Sequence, residues 1–582
     1  MDATLQAASE LRSLRAAAPV SPFGLIARAR NDADRLRTAL ESFGYYECVV
    51  KIEIEGRSLD DPDLAPALEG LPKGREARVD VGFEPGPQYR LRRIEVDGEL
   101  PAFARGALGL SPGDPAVAAT VLAAGTRLLG VLQEHGYAFA RVDPPVAYQD
   151  PEAPVLDLVF HATAGAQVPI GAIHIEGLKR VHERMVRKGM KLRTGQPFSA
   201  AAVERARNDL LALGPFASVS MRLGDAVDET GGVPITIRLR ERPRHAAGVN
   251  AAYSSDLGGS GGLTWTDRNV FGGAGELTFS GTALDLGGNA TTAVGYDANV
   301  KLLLPNFLRA DQSLQVAVDG IKQSLQAYDQ TARTAGVTLS RKLSRDWSAS
   351  AGFSSTDEQV LQAGVSRNYT LLAAPLSVSY DSTDLRSPLD DPTHGMRDSV
   401  SVAPTVALGH PNATFVISQI KFAAYFDAGR LFAADAGRTV VAARLLAGLA
   451  QGAGEFSLPP DQRFYGGGSG TIRGFRYQSV GPAFPPGSPS AGLPVGGTAI
   501  EAGTLELRQR LGGKWGAAAF VDGGQVSSSL QFVPNVLRIG AGAGVRYYTP
   551  IGPIRLDFAV PLKMYDSGQD RFEFYIGLGQ AF

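Results

Sequence analysis

The spacing of hydrophobic positions changes character near Arg244. Ahead of it, apolar residues recur at helical intervals and then at every second position. Ser199 is placed to cap a helix whose Val203, Ala206, Leu210 and Leu213 share one face, with Gly214 as its left-handed stop. Alternating strands are expected next, through Val219, Met221 and Leu223 and then Ile235, Ile237 and Leu239. After Arg244 helical spacing fades, and glycine and period-two alternation dominate. The last segment is the clearest: Phe572, Phe574, Ile576, Leu578 and Phe582 fall on one face, and Glu573, Tyr575, Gly577 and Gly579 on the other. The first strand of this half is expected near Ala247 to Ser254, with Val249, Ala251 and Tyr253 on one face.

The first half repeats itself. Glu84-Pro85-Gly86-Pro87-Gln88-Tyr89 followed by Ile94-Glu95-Val96-Asp97-Gly98 matches Thr163 to Val168 followed by Ile173-His174-Ile175-Glu176-Gly177, at an offset of 79 (165 − 86 and 177 − 98). Leu110, Gly113, Pro115 and Val121 recur as Leu192, Gly195, Pro197 and Val203 at an offset of 82 (195 − 113). A helix-to-strand corner appears three times, at Gly44-Tyr45-Tyr46, Gly136-Tyr137 and Gly214-Pro215-Phe216. These matches define a β-α-α-β-β unit in three copies, over residues 1–88, 89–166 and 167–243, the first lacking its opening strand. Residues 245–582 then accommodate about 16 tilted membrane strands with their turns, closed as a barrel so that each backbone group is paired inside lipid.

Composition narrows the function. A net charge of −2 provides no concentrated basic surface for nucleic acid. The longest apolar stretch, Val440 to Ala450, is interrupted by Arg444 and is too short for a spanning helix. Cys48 is the single cysteine, and the seven histidines show no metal-ligand spacing, so neither a disulfide nor a metal or other cofactor is expected. His182-Glu183 begins like a zinc-protease motif, but Val186 stands where its second histidine belongs. Gly258-Gly259-Ser260-Gly261-Gly262 satisfies Gly-x-Ser-x-Gly, yet its expected setting is a glycine-rich hairpin between strands rather than a strand-turn-helix elbow. No enzyme is expected. Met1-Asp2-Ala3 does not open a basic-then-apolar leader, which is read as a trimmed or late-called start.

Three clusters carry a resemblance. Pro459-Pro460-Asp461-Gln462-Arg463-Phe464 runs through Gly466-Gly467-Gly468 to Ile472-Arg473-Gly474-Phe475-Arg476-Tyr477; Phe520-Val521-Asp522-Gly523-Gly524 follows; then comes Gly544 to Pro561 and the closing Phe574-Tyr575-Ile576-Gly577-Leu578-Gly579. In this order they resemble the superfamily that includes the barrel-assembly protein BamA, the two-partner-secretion transporters and the translocation and assembly module subunit TamA. Three repeats ahead of the barrel fit the TamA branch. The resemblance implies polypeptide-transport-associated (POTRA) domains in the periplasm, a barrel in the bacterial outer-membrane bilayer, and insertion or export of unfolded outer-membrane or autotransporter clients with a TamB-like, inner-membrane-anchored partner. It also implies a lumen loop tipped by Arg473, Gly474 and Phe475, with Gly467 and Gly468 packed on the inner wall and Asp522 as counter-ion in a partly wet lumen. A lateral gate is expected between Val249, Ala251 and Tyr253 on one strand and Phe574, Ile576, Gly577, Leu578 and Gly579 on the other. Asp384 with Pro392-Thr393-His394-Gly395 resembles a further turn of the superfamily. The alternatives are a BamA-like general assembly factor, a two-partner exporter and, from a different class, a passive porin.

Overall fold

A computed structural model of the chain describes all residues except 16–19, 73–74, 386–390, 432–435, 532–535, 550–551, 564–569 and 579–582, together with the side chains of Ala3, Arg430, Leu431 and Leu578. The chain forms two compact units whose boundary passes through the third repeat. One comprises Met1–Glu176, Leu192–Asn208 and Ser220–Arg238, and the other Gly177–Lys191, Asp209–Val219 and Leu239–Phe582.

The first unit is built from the repeats. In the second copy the strand Arg90–Asp97 lies parallel to Val155–Thr163, with the helix Ala118–Glu134 between them in sequence. Its face of Val121, Ala124, Leu128 and Leu132 meets Leu91, Leu158 and Phe160 in one buried core. In the third, Ile170–Glu176 again runs parallel to Val233–Glu241, and the Ser199 hydroxyl caps the helix Ala200–Ala212 by accepting from the Ala202 N–H at 3.2 Å. The first copy opens on helices, and its sheet has Val49–Ile54 between Arg57–Ser58 and Val79–Glu84. Gly44, Gly136 and Gly214 have φ of 89°, 92° and 92°, so the three corners share one left-handed turn that a side chain would strain.

The second unit is a closed antiparallel barrel. Its strands run from His245–Ser254 to Glu573–Leu578 and number sixteen, because Val365–Ala373 and Leu376–Asp381 are one strand interrupted at Ala374-Pro375. Both halves pair with Trp347–Gln362 on one side and Gly395–Gly409 on the other. Pro375 has no N–H to give the ladder, which accounts for the break. Alternation separates the two surfaces. On Ala499–Gly512, Leu505 and Leu507 are 59% and 47% exposed, whereas Glu506 and Arg508 are 1% and 5% exposed. An outward belt of leucine, valine and phenylalanine over an inward charged face is stable against lipid tails and not against water. Near the end where the chain enters, Trp347 lies 5.0 Å from Tyr380 and Trp515 4.9 Å from Tyr547, the amphipathic rings expected where hydrocarbon meets headgroups.

The barrel unit also holds a stretch leading into it. The Glu241 carboxylate accepts the N–H groups of Lys179, Arg180 and Val181 at 2.8, 2.9 and 3.0 Å. Burial would raise this carboxyl, but the three N–H groups outweigh it and hold it below the usual carboxylate range. The His182 N–H in turn donates to the Gly272 carbonyl at 2.9 Å. One expectation needs correction: Gly258 to Gly262 is not a hairpin but part of the second barrel strand, Gly258–Val270. The Gly-x-Ser-x-Gly pattern there is a product of glycine-rich strand composition, opposite the equally small Asn250, Ala251 and Ala252 of the first strand.

Candidate functional site

Between the strands Thr439–Gln451 and Ala499–Gly512 the chain turns back into the barrel for residues 452–498. This loop makes its own ladder. Phe464 and Gly497 exchange N–H and carbonyl at 2.8 Å each, and Gly466 and Val480 do so at 3.0 and 2.9 Å. At its base the Arg463 guanidinium donates to the Leu458 and Val495 carbonyls and to Gln362 Oε1 on the seventh strand. At its tip, Ile472 and Phe475 are buried with Ala502 of the wall.

Arg473 is the center of the tip. Its Nε and Nη2 donate to the two oxygens of Asp522 at 2.8 and 3.0 Å, and its own backbone N–H reaches Oδ2 at 2.9 Å. Nη1 donates to Glu506 Oε2 at 2.9 Å and stands 3.6 Å from Asp557 Oδ2, while the guanidinium plane lies 3.3 Å from the Phe520 ring center. Such a fork fixes direction as well as attraction, and the ring covers the face the carboxylates leave open. Arg473 is 2% exposed and Asp522 0%, so the pair is closed to bulk solvent where a partly wet lumen was expected from sequence. Arg546 pairs with Asp557 and Arg508 with Glu506, extending the cluster along the inner wall.

The glycines of the loop act differently from the expectation. A Cβ on Gly474, at φ 92°, would lie 2.8 Å from the Val560 backbone carbon, so this one packs on a barrel strand. Gly467 instead faces the loop's own backbone at Phe475 and Arg476, and Gly468 faces Tyr477 and Asp256. The missing space is supplied by the wall itself, where a Cβ on Gly540 would run into the Arg473 carbonyl. Phe520 and Tyr575, whose hydroxyl accepts the Gly474 N–H at 3.3 Å, stand in the quoted clusters without a role there, and Glu506 and Gly540 lie outside those clusters. The Asp384 turn is also closed, the carboxylate accepting from the Thr393 N–H and hydroxyl.

The proposed gate residues occupy the two edges of the barrel seam. The first strand pairs with the second along its whole length, from His245 opposite Asp267 to Ser254 opposite Gly258. Across the seam, among the described residues, only Tyr253 opposite Ile576 and Ser254 opposite Tyr575 are in register. Tyr253 stacks on Phe574 at 5.6 Å. Val249 and Ala251 lie on the first strand beyond that register, and Val249 is 81% exposed. Gly577 lies under the Arg555 guanidinium, Leu578 pairs with Ile554, and Gly579 falls outside the described residues.

A sixteen-stranded membrane barrel closed from inside by a returning loop, with α+β repeats before it, is the class that fold and site define. Residues 246–582 match the Omp85 superfamily domain, and residues 168–242 match POTRA, the surface antigen variable number repeat. The chain belongs to the Omp85 superfamily. The outer membrane protein assembly factor BamA of Neisseria meningitidis serogroup B is 24% identical over 518 residues, covering 78% of this chain and 62% of that protein. BamA of Nitratidesulfovibrio vulgaris is 24% identical over 529 residues, covering 86% and 63%. The chain thus spans less than two thirds of either relative. Among solved structures, BamA from Haemophilus ducreyi lacking POTRA domains 1–3 has a TM-score of 0.64 at 19% identity, covering 84% of this chain and 100% of that one. CdiB from Acinetobacter baumannii has a TM-score of 0.52 at 15% identity, covering 85% and 90%. The relatives are outer membrane protein assembly factors by name.

Proposed function

We propose that this chain lies in a bacterial outer membrane, with three POTRA repeats in the periplasm, and inserts or exports outer-membrane or autotransporter clients through a lateral gate at its seam. The observation that carries the reading is the makeup of the seam: the first edge offers the small Ala251 and Ala252, and the described register across to the last strand lies at Tyr253 and Ser254. An edge freed along the first strand would offer N–H and carbonyl groups as a template to which an incoming strand can add. The repeats, with their own exposed sheet edges, act as a docking arm, and a TamB-like partner hands clients to them. The autotransporter reading follows the TamA resemblance; the BamA relatives favor general barrel assembly as the second reading. Depleting the protein from its native cell and measuring the outer-membrane proteome separates the two, since a lost subset of autotransporters fits the first and loss of barrels at large fits the second.

The gate itself is tested by a lock. Tyr253→Cys with Ile576→Cys, in a Cys48→Ala background, places two sulfurs on residues in register. Oxidation should stop client assembly and reduction restore it, and full activity of the locked protein would overturn the gate. A passive porin is opposed by the loop lying across the lumen from Gln362 to Tyr575. Planar-bilayer recording should therefore show small and intermittent conductance; a large, permanently open pore would favor the porin.

A further inference from the structure

Beside the register at Tyr253 and Ser254, side chains tie the two edges of the seam together. Ser255, in the turn after the first strand, hydrogen-bonds Glu573 of the last strand, and its hydroxyl accepts the Phe574 N–H at 3.1 Å. The Ser255 N–H donates to the Phe574 carbonyl at 3.0 Å. Asn289, in the turn between the third and fourth strands, donates through Nδ2 to Glu573 at 3.2 Å and to Asp570 at 3.1 Å, and its backbone N–H reaches the Ser255 carbonyl at 3.0 Å. The turns of the first strands and the start of the last are thereby tied into one polar chain.

One member of the chain belongs to neither edge. Arg476, three residues beyond the loop tip, directs Nε and Nη2 to Asp570 Oδ2 at 2.9 and 2.8 Å and Nη1 to Gln326 Oε1 at 3.0 Å. Gln326 completes the circuit by donating to the Asn289 carbonyl at 2.7 Å. We infer that Arg476 is the keystone of a seam latch through which the lumen loop holds the gate shut, an inference that rests on reading the seam as the gate. A guanidinium is suited to the place, because it grips a carboxylate at one edge while a third donor stays free for the neighboring turn. With the loop seated, the last strand is held at Asp570 from inside and at Glu573 from across the seam. When Arg476 lets go of Asp570, the inside hold is lost, and the edge keeps its described register at Tyr253 and Ser254 with the Ser255 and Asn289 bonds to Glu573. Arg476 thus positions the gate and does not itself bind a client.

The test uses the full chain in phospholipid nanodiscs, with Cys48→Ala and spin labels at Val249→Cys and Leu556→Cys, both outward-facing and on opposite sides of the seam. Double electron–electron resonance reads the fraction of separated edges. Arg476→Ala should raise that fraction about fivefold, the size expected of a partly exposed two-point ion pair, with heat-modifiable migration unchanged. Arg476→Asp combined with Asp570→Arg should return at least half of the difference. An unchanged distance distribution in Arg476→Ala, or an exchange no better than either single change, overturns the latch. The cysteine lock keeps the two readings apart. If locking blocks assembly while Arg476→Ala leaves the seam unaltered, the gate stands and the latch falls; if Arg476→Ala opens the seam while the locked protein assembles clients normally, the latch stands and the gate falls.

Discussion

The loop tip and the seam meet at Tyr575, which receives the Gly474 N–H from inside and pairs with Ser254 across the edge. On the loop side every part of the Arg473 guanidinium is engaged, by Asp522, Glu506 and the Phe520 face, in a pocket closed to solvent. On the seam side the register among the described residues covers two positions, backed by one aromatic stack and a handful of polar side chains. The energies differ accordingly: a buried charge is lost at several kcal/mol, whereas an aromatic pair contributes about 1 kcal/mol. The loop is therefore the seated element of this barrel and the seam the yielding one. A barrel built this way can expose an edge without dismantling what fills its lumen.

Arg473→Ala is the strongest attack on that contrast. It leaves Asp522, Glu506 and Asp557 buried without the cation they share, at a cost of roughly 3–5 kcal/mol. The loop should become cleavable by trypsin at Arg463 or Arg476 while the barrel keeps its heat-modifiable migration. A loop that stays protected would mean that its seating depends on the apolar tip alone. Arg473→Lys should recover only a minor part, because an ammonium cannot span both oxygens of Asp522. Exchanging the charges, Arg473→Asp with Asp522→Arg, should do no better than either change alone. It would place the new carboxylate beside Glu506 and Asp557, a setting invisible while Asp522 was taken as the lone counter-ion.

Glu506→Gln is the milder version. Gln can still accept from Arg473 Nη1, but it no longer offsets Arg508 and Arg546, which lie 2.8 and 3.8 Å from the carboxylate. The expected loss is about 1–3 kcal/mol, the range for a hydrogen bond to a charged group, read as a lower urea midpoint for loop cleavage. A loss as large as that of Arg473→Ala would shift the center of the cluster from the arginine to the glutamate.

The parts that sequence revealed are those that local physics fixes. The three glycine corners are legible because only one residue type tolerates their backbone, and the last strand because its large residues alternate against Glu573, Tyr575 and glycine. Arg473 and Asp522 entered through resemblance, since nothing in the composition of either segment announces a pair 49 positions apart. Glu506 does leave a trace in the sequence. A carboxylate between Leu505 and Leu507 in a membrane strand must face inward, and its neighbor opposite, Phe520, lies two residues from Asp522. The seam latch was out of reach altogether, because Arg476, Asn289 and Asp570 meet only when the sheet closes on itself.

The smallest expected effect is the sharpest test of the seam. Tyr253→Leu keeps an apolar residue at the lipid-facing position but removes the stack on Phe574, worth about 0.5–1.5 kcal/mol beyond the area it covers. Because Tyr253 lies at the strand end beside the seam, next to Ser254 opposite Tyr575, that loss falls on local opening rather than on the barrel as a whole. Amide exchange in residues 573–578 should speed up by about two- to tenfold, with the temperature of the heat-modifiable transition unchanged. Trp265→Leu is the matched control. Its ring packs on His245 at 5.1 Å and on Phe279 at 5.6 Å, but its strand is laddered to a neighbor on each side, so the backbone bonds hold the strand when these contacts are gone. Exchange in residues 245–254 should then stay within about twofold of the unaltered protein. Equal acceleration at the two sites would show that the seam is no weaker than an ordinary strand pair, and the difference between the edges of the first strand would then lie in register alone and not in stability.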